Sequence, residues 1–312
     1  MRLADVTTPA RGAHVVLEEL IALRFPARQL KLGRRKRALS VLAGPNKTNF
    51  RGRGIDFEEV RSYQPGDDIR SIDWRVTART GSAHTKLFRE ERERPVLVAV
   101  DQRSSMFFGS SHCCKSVLAA HLASLLAWSA LDAGDRVGGL VFNGASHREI
   151  RPRRSRKTVL ALLSQVTEFN RALPLPAPPT SGFDEILANL RRIARPGSSL
   201  FILSDFRGAA EERAREQLFQ LAQHIEITAI ACSDPLEADL PRAGRYAVTD
   251  GESRSELDTA DRRLRNAYRE AARQQRETLS TDFLRLGIPM LEAKTDQSPF
   301  STLQQFYGDS RR

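Results

Sequence analysis

Cysteine is scarce in this 312-residue sequence, and two of the three cysteines, Cys113 and Cys114, are adjacent. Three cysteines in this arrangement do not form the disulfide framework of a small secreted domain, and they lack the spacing of a zinc site. Long apolar runs are missing too. No segment approaches the roughly 20 apolar residues that span a bilayer, and the N-terminus lacks the apolar core of a secretion signal. We therefore expect a cytoplasmic protein without a transmembrane segment.

Acidic residues are absent between Glu19 and Asp56, although the whole chain has 38 of them against 49 lysines and arginines. Ten basic residues lie in this stretch, which we call the basic arm (residues 24–53). The arm is either a solvated surface or a segment that attracts phosphates, anionic lipid or an acidic protein face. Peripheral membrane contact through the arm is therefore an expectation. Nucleic-acid binding is disfavoured, because few aromatic residues interleave the basic ones.

Two common catalytic motifs are also missing from the sequence. It contains no Gly-x-x-x-x-Gly-Lys-Ser/Thr phosphate-binding loop and no Gly-x-Ser-x-Gly nucleophile elbow. Any ATP hydrolysis connected with this protein therefore has to come from a partner.

What the sequence does contain is an alternation of strand and helix patterns. Short apolar runs typical of strands buried on both faces lie at residues 96–100, 137–142, 200–203 and 225–231. Helical patterns separate them, at residues 115–132, about 159–166, 182–195 and 209–223. The predicted fold class is α/β, with a doubly wound and mostly parallel sheet.

The pattern also predicts how the chain is divided. We expect residues 1–94 to form a helix, the basic arm and an irregular extension, and residues 95–312 to form the α/β domain with a helical addition. Asn143-Gly144 predicts a hairpin with a two-residue loop, which leads into a short edge strand through His147 to Ile150. The charged stretch from Ser255 to Leu286 predicts one long surface helix.

Two predicted strands end at aspartates, Asp101 and Asp205, and ligands of open α/β sheets bind beyond the carboxyl ends of the strands. Ser105 lies in the loop after the first strand, and Thr180 and Ser181 precede a helix. Two carboxylates with hydroxyl groups and waters form a hard oxygen site that suits Mg²⁺. The sequence indicates no other cofactor.

This order of residues resembles the metal-ion-dependent adhesion site of von Willebrand factor A domains, in which the first strand ends in Asp-x-Ser-x-Ser. In that family an acidic residue of the partner completes the metal shell, so the site binds and does not catalyse. The resemblance implies metal ligands at Asp101, Ser105, Thr180 and Asp205. The implied partner-binding set is Asp101, Arg103, Ser104, Ser105, Thr180, Ser181 and Asp205.

Arg103 departs from that pattern, because it stands where the first serine belongs. In one interpretation Arg103 turns outward, and the aspartates and serines still hold a metal. In the other, which we favour, Arg103 replaces the metal as a fixed positive charge that pairs with a partner carboxylate, or internally with Asp101 or Asp205. In a third interpretation, the role of Asp101 is structural, and it only orders its own loop.

Residues 50–310 resemble the bacterial family known as domain of unknown function 58. The motif runs from Arg61 to Arg75, and its marked residues are Arg61, Tyr63, Gly66, Asp67, Asp68, Arg70, Asp73 and Trp74. We favour an internal salt-bridge network for this motif, with Trp74 and Arg75 as partner anchors in the alternative. Members often occur alongside MoxR-type AAA+ ATPases.

The family resemblance implies a non-enzymatic adaptor that binds a MoxR-type ATPase or its client. The alternative is a metal-dependent nuclease or another phosphoryl-transfer enzyme, because carboxylates at strand ends and a basic arm also suit that chemistry. Such enzymes usually gather three or four carboxylates. Beyond Asp101 and Asp205, only Asp234 is a candidate for a third.

Overall fold

The computed structural model describes residues 6–32, 56–64, 72–89, 95–173, 181–249 and 254–308. The chain forms two compact units, of which the smaller is Lys47–Glu93 and the larger contains the remaining residues. Residues 6–32 thus belong to the larger unit, while the expected division at residue 94 stays a prediction. Most of the basic arm lies outside the described residues, as does Thr180, so the membrane contact expected of the arm stays a prediction too.

The strands of the described residues are β1 Asp56–Ser62, β2 His84–Arg89, β3 Pro95–Asp101, β4 Arg136–Phe142, β5 His147–Arg153, β6 Ser199–Ser204, β7 Glu226–Ser233, β8 Arg245–Thr249, β9 Arg254–Asp258 and β10 Met290–Lys294. The helices are α1 Leu17–Ala22, α2 Arg24–Ala27, α3 Trp74–Thr80, α4 Lys115–Asp132, α5 Arg156–Arg171, α6 Phe183–Ile193, α7 Glu212–Ala222, α8 Pro235–Ala238, α9 Arg262–Arg285 and α10 Pro299–Tyr307. A single 3-10 turn, Ser104–Met106, follows β3.

The larger unit is built on a six-stranded sheet with the order β10-β7-β6-β3-β4-β5. All neighbouring strands are parallel except β5, which pairs antiparallel with β4 at the edge. The chain adds strands on one side of β3 and then on the other, so the loops after β3 and β6 meet at a topological switch point. The predicted fold class, a doubly wound and mostly parallel α/β sheet, is confirmed.

Helix α4 is central to one face of this sheet. Every residue from Lys115 to Ala130 is buried, as expected of a helix that is apolar on all sides. Its outer side is covered by residues 6–32, because Ser124 Oγ and Trp128 Nε1 donate to the carbonyl oxygen of Leu20 at 2.6 and 3.3 Å. The opposite face of the sheet is covered by α6, α7 and the end of α9.

The expected single helix from Ser255 to Leu286 is wrong at its start. Strands β8 and β9 form an antiparallel hairpin that ends at Asp258, and α9 begins only after Asp261, whose carboxylate caps the helix by accepting from the Arg263 N–H at 2.8 Å. No helix among the described residues combines the length and apolarity needed to cross a membrane.

The predicted hairpin after β4 is present, but its loop has four residues rather than two. Asn143 Oδ1 accepts from the backbone N–H groups of Ala145 and Ser146 at 2.9 and 2.8 Å, which closes the loop through a side chain. Edge strand β5 then extends to Arg153, three residues beyond the expected end.

In the smaller unit β1 pairs antiparallel with β2, and α3 lies between them in sequence. The helix begins after Asp73, whose Oδ1 accepts from the backbone N–H groups of Arg75 and Val76 at 3.0 and 3.2 Å. This is a standard N-cap, which satisfies donors that the first helical turn leaves open.

Candidate functional site

Asp101 and Arg103 form a buried ion pair at the carboxyl end of β3. Arg103 Nη2 lies 2.7 Å from Asp101 Oδ2, and Arg103 Nε lies 3.1 and 3.0 Å from the two carboxylate oxygens. The backbone N–H of Arg103 adds a fourth contact, to Asp101 Oδ1 at 2.8 Å. A guanidinium matches a carboxylate in this multidentate way better than any other side chain. Arg103 therefore pairs internally, which is one of the arrangements expected from the sequence.

Contacts beyond Asp101 also hold Arg103 in place. Its Nη1 donates to the carbonyl oxygen of Arg207 at 3.0 Å, and its Nη2 lies 3.5 Å from Asp205 Oδ1. The guanidinium carbon lies 4.9 Å from the centre of the Phe183 ring, within cation–π range. Since only 14% of the side chain is exposed, Arg103 is part of the floor of the site.

Ser204, the last residue of β6, connects this pair to the neighbouring strand. Its hydroxyl donates to Asp101 Oδ2 at 2.6 Å and accepts from the Phe206 N–H at 2.9 Å. Phe206 has a φ of 56°, in the left-handed region, which costs a side-chain-bearing residue roughly 1–2 kcal/mol. Edge-to-face contacts with Phe183 and Phe283 offset that cost and fix the turn that carries Asp205.

Lys115 is the second buried cation of the site, and its side chain is fully buried. Its Nζ donates to Asp205 Oδ2 at 3.1 Å and to Glu237 Oε1 at 2.6 Å. Glu237 is held by α8, because its other oxygen accepts from the backbone N–H of Asp234 in a capping box. A buried ion pair of this kind is tolerated only when nearly all of its donors and acceptors have hydrogen-bond partners.

Sequence reasoning missed Lys115, Glu237 and Ser204 as members of the site. For Lys115 a signal exists, since it is the first residue of α4, where the helix dipole disfavours a cation. A lysine there, before a run of apolar residues, indicates a nearby acidic group. Glu237 carries no comparable signal, because its partner lies 122 positions away.

The pKa values of the two aspartates move in opposite directions. Complete burial raises the pKa of Asp101, and the Asp205 charge adds to that rise, while Arg103 opposes it. Burial also acts to raise the pKa of Asp205, but Lys115 and Arg103 outweigh it and hold that pKa below its ordinary value. Burial acts to lower the pKa of Arg103, yet Asp101 outweighs this, so its pKa is raised and the guanidinium stays charged.

The other predicted site residues are distributed as follows. Ser104 is exposed on the 3-10 turn, whereas Ser105 Oγ is buried and has no hydrogen bond of standard length and angle among the described residues. Ser105 still lies close enough to Asp205 to help lower its pKa. The Ser181 N–H donates to the carbonyl oxygen of Gly144 at 3.2 Å, in the loop after β4. Thr180 lies outside the described residues.

Asp234, the proposed third carboxylate, has a structural role. Its Oδ2 accepts from Thr295 Oγ1 at 2.6 Å and from the Ser110 N–H at 2.8 Å, and its Oδ1 caps α8 at Leu236. Burial acts to raise its pKa, and the bonds from Thr295 and Ser110 outweigh that effect, so the pKa is lowered.

The residues as arranged do not fit a divalent cation. Both carboxylate oxygens of Asp101 face Arg103, and one oxygen of Asp205 faces Lys115. Among the described residues no group of three or more His, Cys, Asp or Glu side chains is arranged to hold a metal ion. The converging carboxylates that metal-dependent phosphoryl transfer needs are therefore not found in this part of the chain.

The family motif is described only in part. Gly66, Asp67, Asp68, Arg70 and the side chain of Arg61 lie outside the described residues. Tyr63 is half-buried, and its N–H donates to the Ala83 carbonyl oxygen at 2.8 Å. Asp73 caps α3 inside the smaller unit. Trp74 is 67% exposed. The internal salt-bridge network and its alternative, a pair of partner anchors, both stay predictions.

Comparison with known proteins agrees with the motif. The family model described as "Protein of unknown function DUF58" matches residues 59–278. The chain belongs to the DUF58 family. An uncharacterized protein of Mycobacterium tuberculosis is 30% identical to this DUF58 chain over 286 residues, which cover 91% of the chain and 89% of the relative.

Solved structures similar to the DUF58 chain include an aerotolerance-related membrane protein of Bacteroides fragilis, at 16% identity and a TM-score of 0.43, covering 67% of this chain and 94% of that one. A von Willebrand factor type A protein of Catenulispora acidiphila is 13% identical with a TM-score of 0.33, covering 48% of this chain and 35% of that one. The fold of the DUF58 chain is a doubly wound α/β sheet, with β3 at the centre and an antiparallel strand at one edge.

Proposed function

We propose that this DUF58 chain is a non-enzymatic adaptor that binds a MoxR-type AAA+ ATPase or its client through the charged cluster at the carboxyl edge of the sheet. One observation carries the proposal: the buried carboxylates Asp101 and Asp205 are both neutralised by cations of the same chain, Arg103 and Lys115. Carboxylates held in this way are poor general bases and poor metal ligands, whereas a fixed charged surface suits recognition.

The surface that a partner meets at the cluster contains Arg207. Its side chain is 61% exposed, and its contacts to Asp205 and Glu237 are both 3.6 Å, too long for hydrogen bonds. Phe108, which is 41% exposed, is connected to the cluster through Lys115, because its carbonyl oxygen accepts from the Lys115 N–H at 2.8 Å. Arginine and aromatic side chains dominate binding hot spots, so an acidic side chain of the partner is the expected ligand of Arg207.

Charge along the edge of the sheet favours an acidic partner as well. Strand β5 starts at the edge where β3 ends, because His147 pairs with Phe142 and Phe142 pairs with Asp101. The exposed Arg148 lies near that edge, opposite Val141, whereas Arg153 lies opposite Val137 at the other end of the sheet. A formal net charge of +11 also favours the approach of anionic surfaces.

The three cysteines are free. Burial raises the pKa of Cys113 to about 12, and burial also raises the pKa values of Cys114 and Cys232, which leaves all three thiols unreactive at neutral pH. These free thiols support a reducing location, and we place the function in the cytoplasm.

The test is a binding experiment with the full chain and the MoxR-type ATPase of the same organism, in nucleotide-free, ADP-bound and ATP-analogue-bound states. We expect a complex, and we expect Arg207→Glu to weaken it at least tenfold. Arg213→Glu makes the same charge change on the exposed face of α7 and should leave the affinity within about twofold. Absence of a complex in every nucleotide state, or equal losses in the two variants, would contradict the proposal.

A further inference from the structure

We propose that Arg103 is the built-in cation of this docking site, taking the place of a divalent metal ion, so that docking does not depend on metal. The inference rests on the proposed function and specifies how that site is regulated: the cation that holds its carboxylates belongs to the chain and is always present. Arg103 acts as a positioning residue, since it holds the two strand-end carboxylates in place.

The position of one nitrogen atom carries the first step. Arg103 Nη2 lies 2.7 Å from Asp101 Oδ2, 3.4 Å from Ser204 Oγ and 3.5 Å from Asp205 Oδ1. These three oxygens come from the ends of β3 and β6, on the two sides of the switch point. The guanidinium thus lies where a cation would have to lie to draw both aspartates together.

The local sequence carries the second step. The loop reads Asp101-Gln-Arg103-Ser-Ser105, so replacing Arg103 by serine completes Asp-x-Ser-x-Ser. The buried Ser105 Oγ, which has no standard hydrogen bond among the described residues, is an oxygen that an ion between the aspartates would satisfy. A single substitution therefore separates this loop from one with an ion-binding set of oxygens.

The charge balance carries the third step. Asp101, Asp205 and Glu237 face three cations of the chain, Arg103, Lys115 and Arg207, so the charges of these six groups balance. A divalent ion would add two positive charges next to a guanidinium and an ammonium group that are both largely buried. Repulsion at such distances, where water screens little, opposes binding.

The experiment is a calorimetric titration of the full chain with Mg²⁺ and then Mn²⁺, together with thermal melting in EDTA and in excess Mg²⁺. The native chain should give no saturable binding and the same Tm in both buffers. Arg103→Ser should melt lower in EDTA, bind Mg²⁺ saturably and regain part of its Tm when Mg²⁺ is present. Arg207→Ser, which removes the same charge from the exposed side of the cluster, should not gain a metal dependence.

Saturable metal binding by the native chain would overturn the inference. A folded Arg103→Ser variant that binds neither ion would also overturn the inference, because the two aspartates would then have no affinity for a cation in place of Arg103. If that variant does not fold, the native titration still decides. None of these measurements uses the partner, so a failure of the proposed function is seen separately, as the absence of a complex with the ATPase in every nucleotide state.

Discussion

Arg103 lies within 2.7 Å of Asp101, a residue only two positions earlier, and yet the Asp101 side chain is fully buried. The strand end and its own loop thus form a closed ion pair, to which Ser204 of the next strand adds a hydrogen bond. Breaking such a pair on one side leaves the other charge buried and alone, which typically costs about 3–5 kcal/mol.

Asp101→Asn should therefore lower the free energy of unfolding by about 3 kcal/mol, measured by urea denaturation. The matched control is Asp239→Asn, which breaks an ion pair of the same 2.7 Å length to Arg269 whose two side chains are 50% and 59% exposed. Water screens that pair, so its loss should cost no more than about 1 kcal/mol. Similar losses in the two variants would show that burial does not make the Asp101 pair contribute more to stability than an exposed pair.

Lys115→Met should raise the pKa of Asp205, because Lys115 is the main charge that holds that pKa down. In the native chain the depressed pKa stabilises the fold above the ordinary value of 3.8, and this stabilisation is lost as the pH falls through the lower folded value. The variant should be less stable at neutral pH, and its acid unfolding should begin at higher pH. Lys157→Met, on the exposed start of α5, is the control and should leave the acid midpoint unchanged.

His121 should make stability depend on pH between about 4 and 6.5. It is buried inside α4, its Nε2 has no hydrogen-bond partner among the described residues, and burial lowers its pKa to about 4 from 6.5. The unfolded chain binds a proton below pH 6.5 and the folded chain does not, so stability is complete above 6.5 and falls by about 3 kcal/mol on acidification to pH 4.

Urea unfolding at a series of pH values checks this dependence. His121→Leu should remove the slope in that window, whereas His224→Leu, at an exposed position after α7, should keep it. A His121→Leu profile parallel to the native one would show that other groups cause the dependence.

Phe206 allows backbone strain to be separated from packing. Phe206→Ala should lose about 3–5 kcal/mol, because a buried aromatic ring is removed. Phe206→Gly loses the same ring but tolerates the φ of 56°, so it should be about 1 kcal/mol more stable than the alanine variant. A glycine variant is normally less stable than the alanine variant at the same position. If Phe206→Gly is the less stable variant here too, that result would argue against strain at this turn.

The alternation of elements from β3 to β7 could be predicted from sequence. Strands β3, β4, β6 and β7 are short apolar runs, Asn143-Gly144 indicates the hairpin into β5, and helical patterns separate the apolar runs. For the same reason Asp101 and Asp205 could be placed at one edge of the sheet. The partners of their charges could not be predicted in this way. Lys115 and Glu237 meet where the start of α4 faces the short helix α8, and nothing in the local pattern of either segment indicates the other.

Two further elements depended on tertiary context. Strands β8 and β9 form a separate two-stranded sheet of mostly exposed residues. The charged sequence from Ser255 onward therefore resembles a surface helix, although the observed helix begins only after its N-cap, Asp261. Helix α10 was not predicted, although Ser298 caps it by accepting from the Ser301 N–H and Pro299 is its first residue. A cap and a proline alone do not predict a helix, and this one is stabilised by burial of Phe300 and Leu303 in the core.

The cover that residues 6–32 provide for α4 has a practical consequence for anyone who studies the DUF58 chain in pieces. A fragment that starts at residue 95 would keep every strand of the large sheet, but it would expose the apolar outer side of α4 to water. Such a fragment is expected to aggregate, and this aggregation would say nothing about the docking edge, which lies at the ends of the strands.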